Sequence, residues 1–441
     1  TLLEENDNND NNNASSNSND TATTTTINTP AEEEIQSTTL EYAQDYLLSS
    51  DVAPVPGHER MCDPEVRGRT EGSGEDGVWI RSSRWKNSNT HGTGCTLSSA
   101  IASALALGEE SRRRHSSSTD SSSTGTGAIN SIQLVDACCL AKAYVSAGIQ
   151  RGVQYGASHG PVVHTEFPST WQNYPTIVRD PTTNTATTSR SSASTGSLRE
   201  GFRRMQAFAA ASTPSSSLSS TTDDTNMDET DDAVPILGRI IPIVDTVEQI
   251  TELCTTPGIT DIQLRIKDTT DSSIILERIR TCQGLCGSHN VRLWINDYWK
   301  EAMVANCFGV HVGQEDLFKC WREGGLQELQ TNNIALGIST HSYSELSVAI
   351  GFRPSYISLG PVFATTSKKV QFEPQGLHTV MKWRQLIPPS IPLVTIGGIN
   401  TIEAATANRV AGSDCIAVIG AITKVSNTVA TSVQKLNDAM V

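Results

Sequence analysis

The 441-residue sequence has few aromatic residues (5%) and few charged ones (18%). That scarcity points to a substantial disordered share rather than a large core. Basic residues are also in deficit. Lys and Arg number 33 against 48 Asp and Glu, a formal charge of −15, which excludes a nonspecific nucleic-acid surface. No run approaches the ~18 apolar residues that a membrane span needs, so a soluble protein without a membrane partner is expected. The opening TLLEENDNNDNNN lacks Met, and it lacks the charge and apolar core of a signal peptide. It reads as the start of a fragment or of an incomplete gene model, which leaves any targeting segment open. A disulfide framework is missing too: the ten Cys are scattered through apolar elements. This predicts a reducing compartment, cytosol or plastid stroma. Cys282 and Cys286 lie four apart near His289, but no second pair of metal spacing follows, so zinc is not expected.

What is present divides the chain. Residues 1–75 open with Asn, Asp and Thr runs and read as largely disordered. A Ser/Thr-rich stretch within 169–237, ending in the acidic TDDTNMDETDDA, reads as a disordered linker. ESRRRHSSSTDSSSTGTG (110–127) interrupts an otherwise helical region. Two ordered islands remain, 76–168 and 238–441.

The larger island alternates apolar runs with helical patterns. RIIPIVD, ITDIQLRIK, VRLWIND, FGVHVGQ, IALGIST, SYISLGPVF, IPLVTIGGI and DCIAVIGAI each precede a helix-like segment. Repeated βα units imply parallel strands with right-handed crossovers. Eight of them predict an α/β fold of the (β/α)8 TIM-barrel type, with a doubly wound open sheet as the alternative. In either case ligands gather at the C-terminal strand ends, so the polar residues there are the candidates. Gln263, Arg265 and Lys267 alternate onto one strand face, and two inward cations suit a phosphate or diphosphate. Asn296-Asp297 and Gln314-Glu315-Asp316 end the next two strands. An Asp in each of two adjacent loops suits Mg²⁺, which takes one or two carboxylates plus phosphate oxygens and waters; a helix cap or first-turn acid is the plainer alternative. Thr365, Thr366, Ser367 and Lys368 make a hydroxyl-rich, phosphate-friendly loop. Gly397-Gly398 and Ile419-Gly420 each precede a helix, where backbone N–H groups receive phosphate.

The series QLRIK, ND, GVHVGQEDL, GISTH, SLGPVFATTSK, TIGGI and AVIGAI resembles the thiamine-phosphate synthase family throughout 238–425. The resemblance implies a (β/α)8 barrel that joins hydroxymethylpyrimidine diphosphate to thiazole phosphate and releases diphosphate, with Mg²⁺. It implies that Gln263, Arg265, Lys267, Asn296, Ser339 and Lys368 hold the pyrimidine diphosphate, and that Asp297 and Asp316 bind the metal. Arg265, Lys267, Lys368 and Ser339 would serve the chemistry. Thr365, Thr366, Ser367, Gly398, Ile419 and Gly420 would receive the thiazole phosphate. Ile266 stands where the family usually has Glu, and Gly420 where it usually has Ser. The second change keeps the backbone N–H, so weaker phosphate binding rather than loss is expected.

In the smaller island, NTHGTGCTLSSAIASALALG opens a helix on a Gly-Thr-Gly-Cys turn, which makes an anion hole and lowers the pKa of its Cys; a structural Cys is the alternative. With VDACCLAKAYVSAGI and HGPVVH it resembles the C-terminal end of hydroxymethylpyrimidine-phosphate kinase, a ribokinase-like enzyme. The resemblance implies that Gly92, Thr93 and Gly94 form the hole and that Cys95 is the base. It covers only the C-terminal part of that fold, and no sheet is expected before residue 76. The whole therefore reads as a kinase–synthase fusion with an incomplete kinase, using ATP only if that half were complete, and with the segment unstable on its own. The competing readings are a noncatalytic phosphate-binding barrel and a thiazole tautomer regulator, neither of which needs both metal acids. Phosphorylated pyrimidine and thiazole are the expected partners, and a homo-oligomer through the barrel helices is left open.

Overall fold

The computed structural model describes residues 42–48, 77–117, 132–154, 156, 159–178, 201–208, 234–365, 373–423 and 428–441. In chain order, the N-terminal part comprises β1 (Tyr42–Leu48), β2 (Gly77–Ser83), α1 (Thr93–Ser117), α2 (Leu134–Gln150) and β3 (Thr176–Val178). Short β4 (Gln206–Ala207) and β5 (Ile236–Leu237) follow.

The barrel then runs β6 (Ile240–Val244), α3 (Val247–Cys254), β7 (Asp261–Leu264), α4 (Ser272–Ser288), β8 (Arg292–Asn296) and α5 (Trp299–Val304). It continues through β9 (Gly309–Val312), α6 (Gln314–Arg322), α7 (Gly325–Thr331), β10 (Ala335–Thr340), α8 (Tyr343–Phe352) and β11 (Tyr356–Leu359). It ends with α9 (Gly376–Leu386), β12 (Leu393–Ile396), α10 (Ile402–Val410), β13 (Cys415–Val418), α11 (Gly420–Thr423) and α12 (Val429–Ala439).

Strands β6 to β13 close into one barrel in sequence order, β13 pairing with β6, every pair parallel. The expected (β/α)8 architecture is what the chain adopts, and the open-sheet alternative is excluded by closure. Local chemistry sets the helix starts. Thr246 and Gln249 form a capping box on α3, and Asp271, Ser342, Thr401 and Thr428 each accept a backbone N–H at the start of α4, α8, α10 and α12.

The barrel interior is filled, as in other small barrels. The Trp294 and Tyr356 rings meet edge to face at 4.9 Å, and both are fully buried. They fit because their neighbours are Gly. A Cβ on Gly309 would lie 2.5 Å from Trp294, and one on Gly337 would lie 2.2 Å from Tyr356. Each strand's outward residues meet the helices in a second, larger core.

The N-terminal part departs from expectation. Tyr42–Leu48 is a strand, antiparallel to β2, and β2 pairs antiparallel with β3. Leu47 and Val78 pack beside buried Ile80, Cys139 and Ile177, so this sheet has an apolar face that the polar sequence around it obscures. Helix α1 extends to Ser117, through a Glu- and Arg-containing stretch that favours helix. Inside the expected linker, Phe202, Met205 and Leu237 are buried. Met205 and Leu237 join the interior cluster at the N-terminal end of the barrel. These elements and the barrel belong to one compact unit. No helix among the described residues is long and apolar enough to cross a membrane.

Candidate active site

Parallel closure brings all eight C-terminal strand ends to one rim, and the first cluster sits after β7, β8 and β9. Gln263 is buried and its Nε2 donates to Asn296 Oδ1 at 2.9 Å. Four residues on, Lys267 reaches Asp297 Oδ2 at 2.5 Å. Asp297 takes a left-handed backbone, φ 71°, a region that Asp tolerates better than most residues. Its N–H donates to His311 O at 2.9 Å. Asp316 lies in the first turn of α6, whose cap is Gly313, so it is not itself the cap.

The Asp297 and Asp316 carboxyls lie close enough to share a hydrogen bond when one of them is protonated. Burial, then the charge of Asp297 and that hydrogen bond, push the Asp316 carboxyl up to about 6; Lys267 acts in the opposite sense. Two carboxylates held together repel unless a proton or a cation lies between them. This donor set, all oxygen and beside one Lys, fits Mg²⁺, whose remaining positions go to phosphate oxygens and water.

Deeper in the barrel, Ser339 Oγ lies 2.8 Å from His311 Nε2, and His311 Nδ1 lies 2.8 Å from Tyr356 Oη. Gln314 Nε2 donates to Ser339 O at 2.7 Å. His311 and Tyr356 carry no role in the sequence reading, although an inward His in the run GVHV was the available signal. The Arg265 N–H donates to Val244 O at 2.8 Å, and its side chain is half-buried. Ile266 faces the other way, 1% exposed among the helix-side apolar residues. Its departure from the family pattern therefore sits outside this cluster.

A second cluster follows β11, β12 and β13. Val362 N donates to Ile396 O at 2.8 Å and Phe363 N to Gly397 O at 3.0 Å, which joins two loops. Gly398 has φ 68°, and a Cβ there would lie 2.6 Å from Ala364 O and from Phe363 Cβ, so only Gly fits. Gly420 opens α11, and a Cβ there would meet Asn400 Oδ1 at 3.2 Å. Ile419 precedes it, its carbonyl accepting from Ile422 and Thr423 N–H groups. Thr365 ends the described part of the β11 loop, while Thr366, Ser367 and Lys368 lie outside the described residues.

In the N-terminal part, Gly92 has φ 85°, and α1 begins at Thr93. Cβ positions on Gly92 and Gly94 meet nothing within 4 Å, and Cys95 is exposed. The other described Cys are buried. Burial raises the Cys138 and Cys282 thiols to about 11 and those of Cys307 and Cys320 to about 12, so these are structural thiols. His289 Nδ1 is occupied by Leu285 O at 2.9 Å, and no group of three metal-binding side chains occurs among the described residues.

The closed barrel, an acidic pair beside Lys at its mouth and Gly-built loops across the rim define a (β/α)8 barrel enzyme. Residues 234–422 match the profile of the thiamine monophosphate synthase family. Residues 69–115 match that of phosphomethylpyrimidine kinase. Thiamine-phosphate synthase of Salmonella paratyphi A is 40% identical over 194 residues, covering 44% of this chain and 88% of that protein. The Citrobacter koseri thiamine-phosphate synthase is 39% identical over 192 residues, covering 44% and 87%. The solved thiamine phosphate pyrophosphorylase of Pyrococcus furiosus is 26% identical, covering 46% of this chain and 95% of that one at a TM-score of 0.39. The chain belongs to the thiamine-phosphate synthase family, with a partial kinase-like segment ahead of the synthase barrel.

Proposed function

We propose that the barrel joins hydroxymethylpyrimidine diphosphate to thiazole phosphate and releases diphosphate, with Mg²⁺ held by Asp297 and Asp316. The observation that carries this reading is the contact between those two carboxylates beside Lys267. Mg²⁺, when bound, would offset charge on the diphosphate oxygens. Lys267, Arg265 and Lys368 stabilise the negative charge that grows on the diphosphate as its C–O bond breaks. Gln263 and Asn296, fixed on each other, orient the pyrimidine. Ser339, held by His311, hydrogen-bonds the same substrate. The thiazole phosphate docks on Thr365, Thr366, Ser367, Gly398, Ile419 and Gly420, which aims the ring nitrogen at the pyrimidine methylene carbon. Positioning and charge stabilisation suffice, so no protein nucleophile is needed.

The purified chain, given both substrates and Mg²⁺, is expected to form thiamine phosphate and diphosphate. Tight binding of thiazole phosphate with no product would instead favour a noncatalytic barrel. The kinase match and the open Gly92–Cys95 turn favour a second, smaller reading: an anion hole whose base is Cys95, the part of an ATP-dependent pyrimidine kinase that this segment retains. ATP with the pyrimidine monophosphate is the parallel assay, and the incomplete match predicts no phosphorylation.

A further inference from the structure

The elements ahead of the barrel pack on it at several points, and one of these contacts grips a single peptide. Helix α2 and strand β3 pack on α8, with Cys138, Cys139 and Ile177 meeting Val348 in an apolar seam. At the N-terminal end of α8 the contact becomes polar. Asp136 is 3% exposed and Tyr174 is 5% exposed. Asp136 Oδ1 accepts from Ser344 N at 2.7 Å, while its Oδ2 accepts from Gln133 N at 3.1 Å. Tyr174 Oη donates to Tyr343 O at 2.7 Å. Tyr343 O and Ser344 N are the two polar ends of a single peptide unit, so that unit is gripped on both sides by residues from outside the barrel. One carboxylate also serves two helix starts, those of α2 and α8, where orphan N–H groups favour an anion.

This peptide lies just beyond the catalytic rim. The turn of His341 and Ser342 joins it to Ser339 and Thr340 at the end of β10. The turn is held from within the barrel as well. Gln375 Nε2 donates to His341 O at 3.2 Å, His341 N donates to Glu345 Oε2 at 2.6 Å, and Trp383 Nε1 donates to Thr340 Oγ1 at 2.9 Å. The Tyr343 ring lies 5.1 Å from that of Trp383. The start of α8 is therefore fixed between Trp383 on α9 and Asp136 and Tyr174 from outside the barrel.

We propose that Asp136 and Tyr174 are positioning residues of the synthase site: by clamping the Tyr343–Ser344 peptide they set the β10–α8 turn and hence Ser339. The elements ahead of the barrel thus act as a fixed brace of the barrel mouth. The link to catalysis rests on the assignment of Ser339 to the pyrimidine diphosphate. Small displacements of a substrate-holding group cost large factors in rate, and a buried N–H stripped of its acceptor shifts to find another.

The test uses the full chain with Asp136→Ala, Asp136→Asn and Tyr174→Phe. Asp136→Ala is expected to raise the KM for the pyrimidine diphosphate about five- to tenfold while the KM for thiazole phosphate stays within about twofold. Asp136→Asn keeps an acceptor for Ser344 and should return most of that loss. Hydrogen exchange supplies a readout free of turnover: amides of 340–345 should exchange faster in Asp136→Ala and, more mildly, in Tyr174→Phe, with β7 and β8 unchanged. Lower melting temperature with both KM values and the 340–345 exchange unchanged would overturn the proposal. Should Asp136→Ala fail to fold, Tyr174→Phe gives the same decision. A wild-type chain that forms no thiamine phosphate would sink the functional reading, and the exchange result would still decide whether the clamp exists.

Discussion

The two ends of the barrel use acids in opposite ways. At the N-terminal end Asp261 is fully buried and saturated with donors. Arg292 Nε reaches it at 2.8 Å, Arg292 Nη2 at 2.5 Å, Trp294 Nε1 at 2.9 Å and Gly238 N at 2.9 Å. Thr260 Oγ1 adds a further bond at 2.8 Å. At the C-terminal mouth Asp316 faces another carboxylate, Asp297, with Lys267 alongside. The first arrangement is complete without a ligand, as a buried charge must be if it is to stabilise a fold. The second leaves repulsion that a divalent cation would relieve. The difference separates an acid that builds the barrel from acids that serve it.

Substitutions at the two ends should therefore fail differently. Asp297→Ala is expected to cut turnover by ~10²-fold or more, the scale of losing one charge-stabilising group, with the unfolding midpoint little changed. Near-normal turnover of the purified variant would remove Asp297 from the proposed site. Asp261→Ala should do the reverse. It leaves Trp294 Nε1 without its acceptor and strips Arg292 of its carboxylate partner, a loss of about 3 kcal/mol in denaturant unfolding, while turnover per folded molecule stays close to wild type.

A tenfold effect is expected from pH. The Asp316 carboxyl is raised to about 6, so below that pH the proton competes with the cation. Between the ordinary carboxylate range and about 6, the folded metal-free protein holds a proton that the unfolded chain releases. The stability contributed by that proton is present at low pH and is lost as pH rises through about 6. Mg²⁺ affinity moves the other way and should weaken about tenfold from pH 7 to pH 5, read by Mg²⁺ titration of turnover. Asp316→Asn should flatten that slope, and a wild-type slope already flat would contradict the pairing. The smallest effect concerns the second cluster. Gly420→Ser adds a hydroxyl where Asn400 must yield only slightly, and it should lower the KM for thiazole phosphate by about two- to threefold, the scale of one modest hydrogen bond. An unchanged or higher KM would place the thiazole phosphate away from Gly420.

The barrel was legible in the sequence because its information is local. Each strand is a short apolar run, five of the barrel helices carry their own side-chain cap, and the polar residue at the end of each run marks the rim. Gln263, Asn296, Asp297 and Asp316 could be picked out for that reason, and the structure pairs Gln263 with Asn296 and sets Asp297 beside Lys267 and Asp316. Asp261 was not separable from them by pattern: it opens the same strand that Gln263 helps to end, and only the position of Arg292 and Trp294 across the β7–β8 pair shows its task. Residues 42–48, 201–208 and 234–237 were hidden differently. Their apolar contacts reach distant partners, and short segments set in polar stretches give too little periodicity to reveal them. Asp136 likewise looks like an ordinary first-turn acid of α2 until the barrel helix that it caps is in view.

The central claim is that Asp297 and Asp316 together hold a divalent cation against a diphosphate. Calorimetric titration of Mg²⁺ with inorganic diphosphate into the full chain, at pH 7.5 ~ well above the Asp316 transition ~ tests it most directly. Heat-producing binding that is lost in Asp297→Ala and in Asp316→Ala, and retained in Asp261→Asn, is the predicted result. Binding of equal strength in all four proteins would contradict the account.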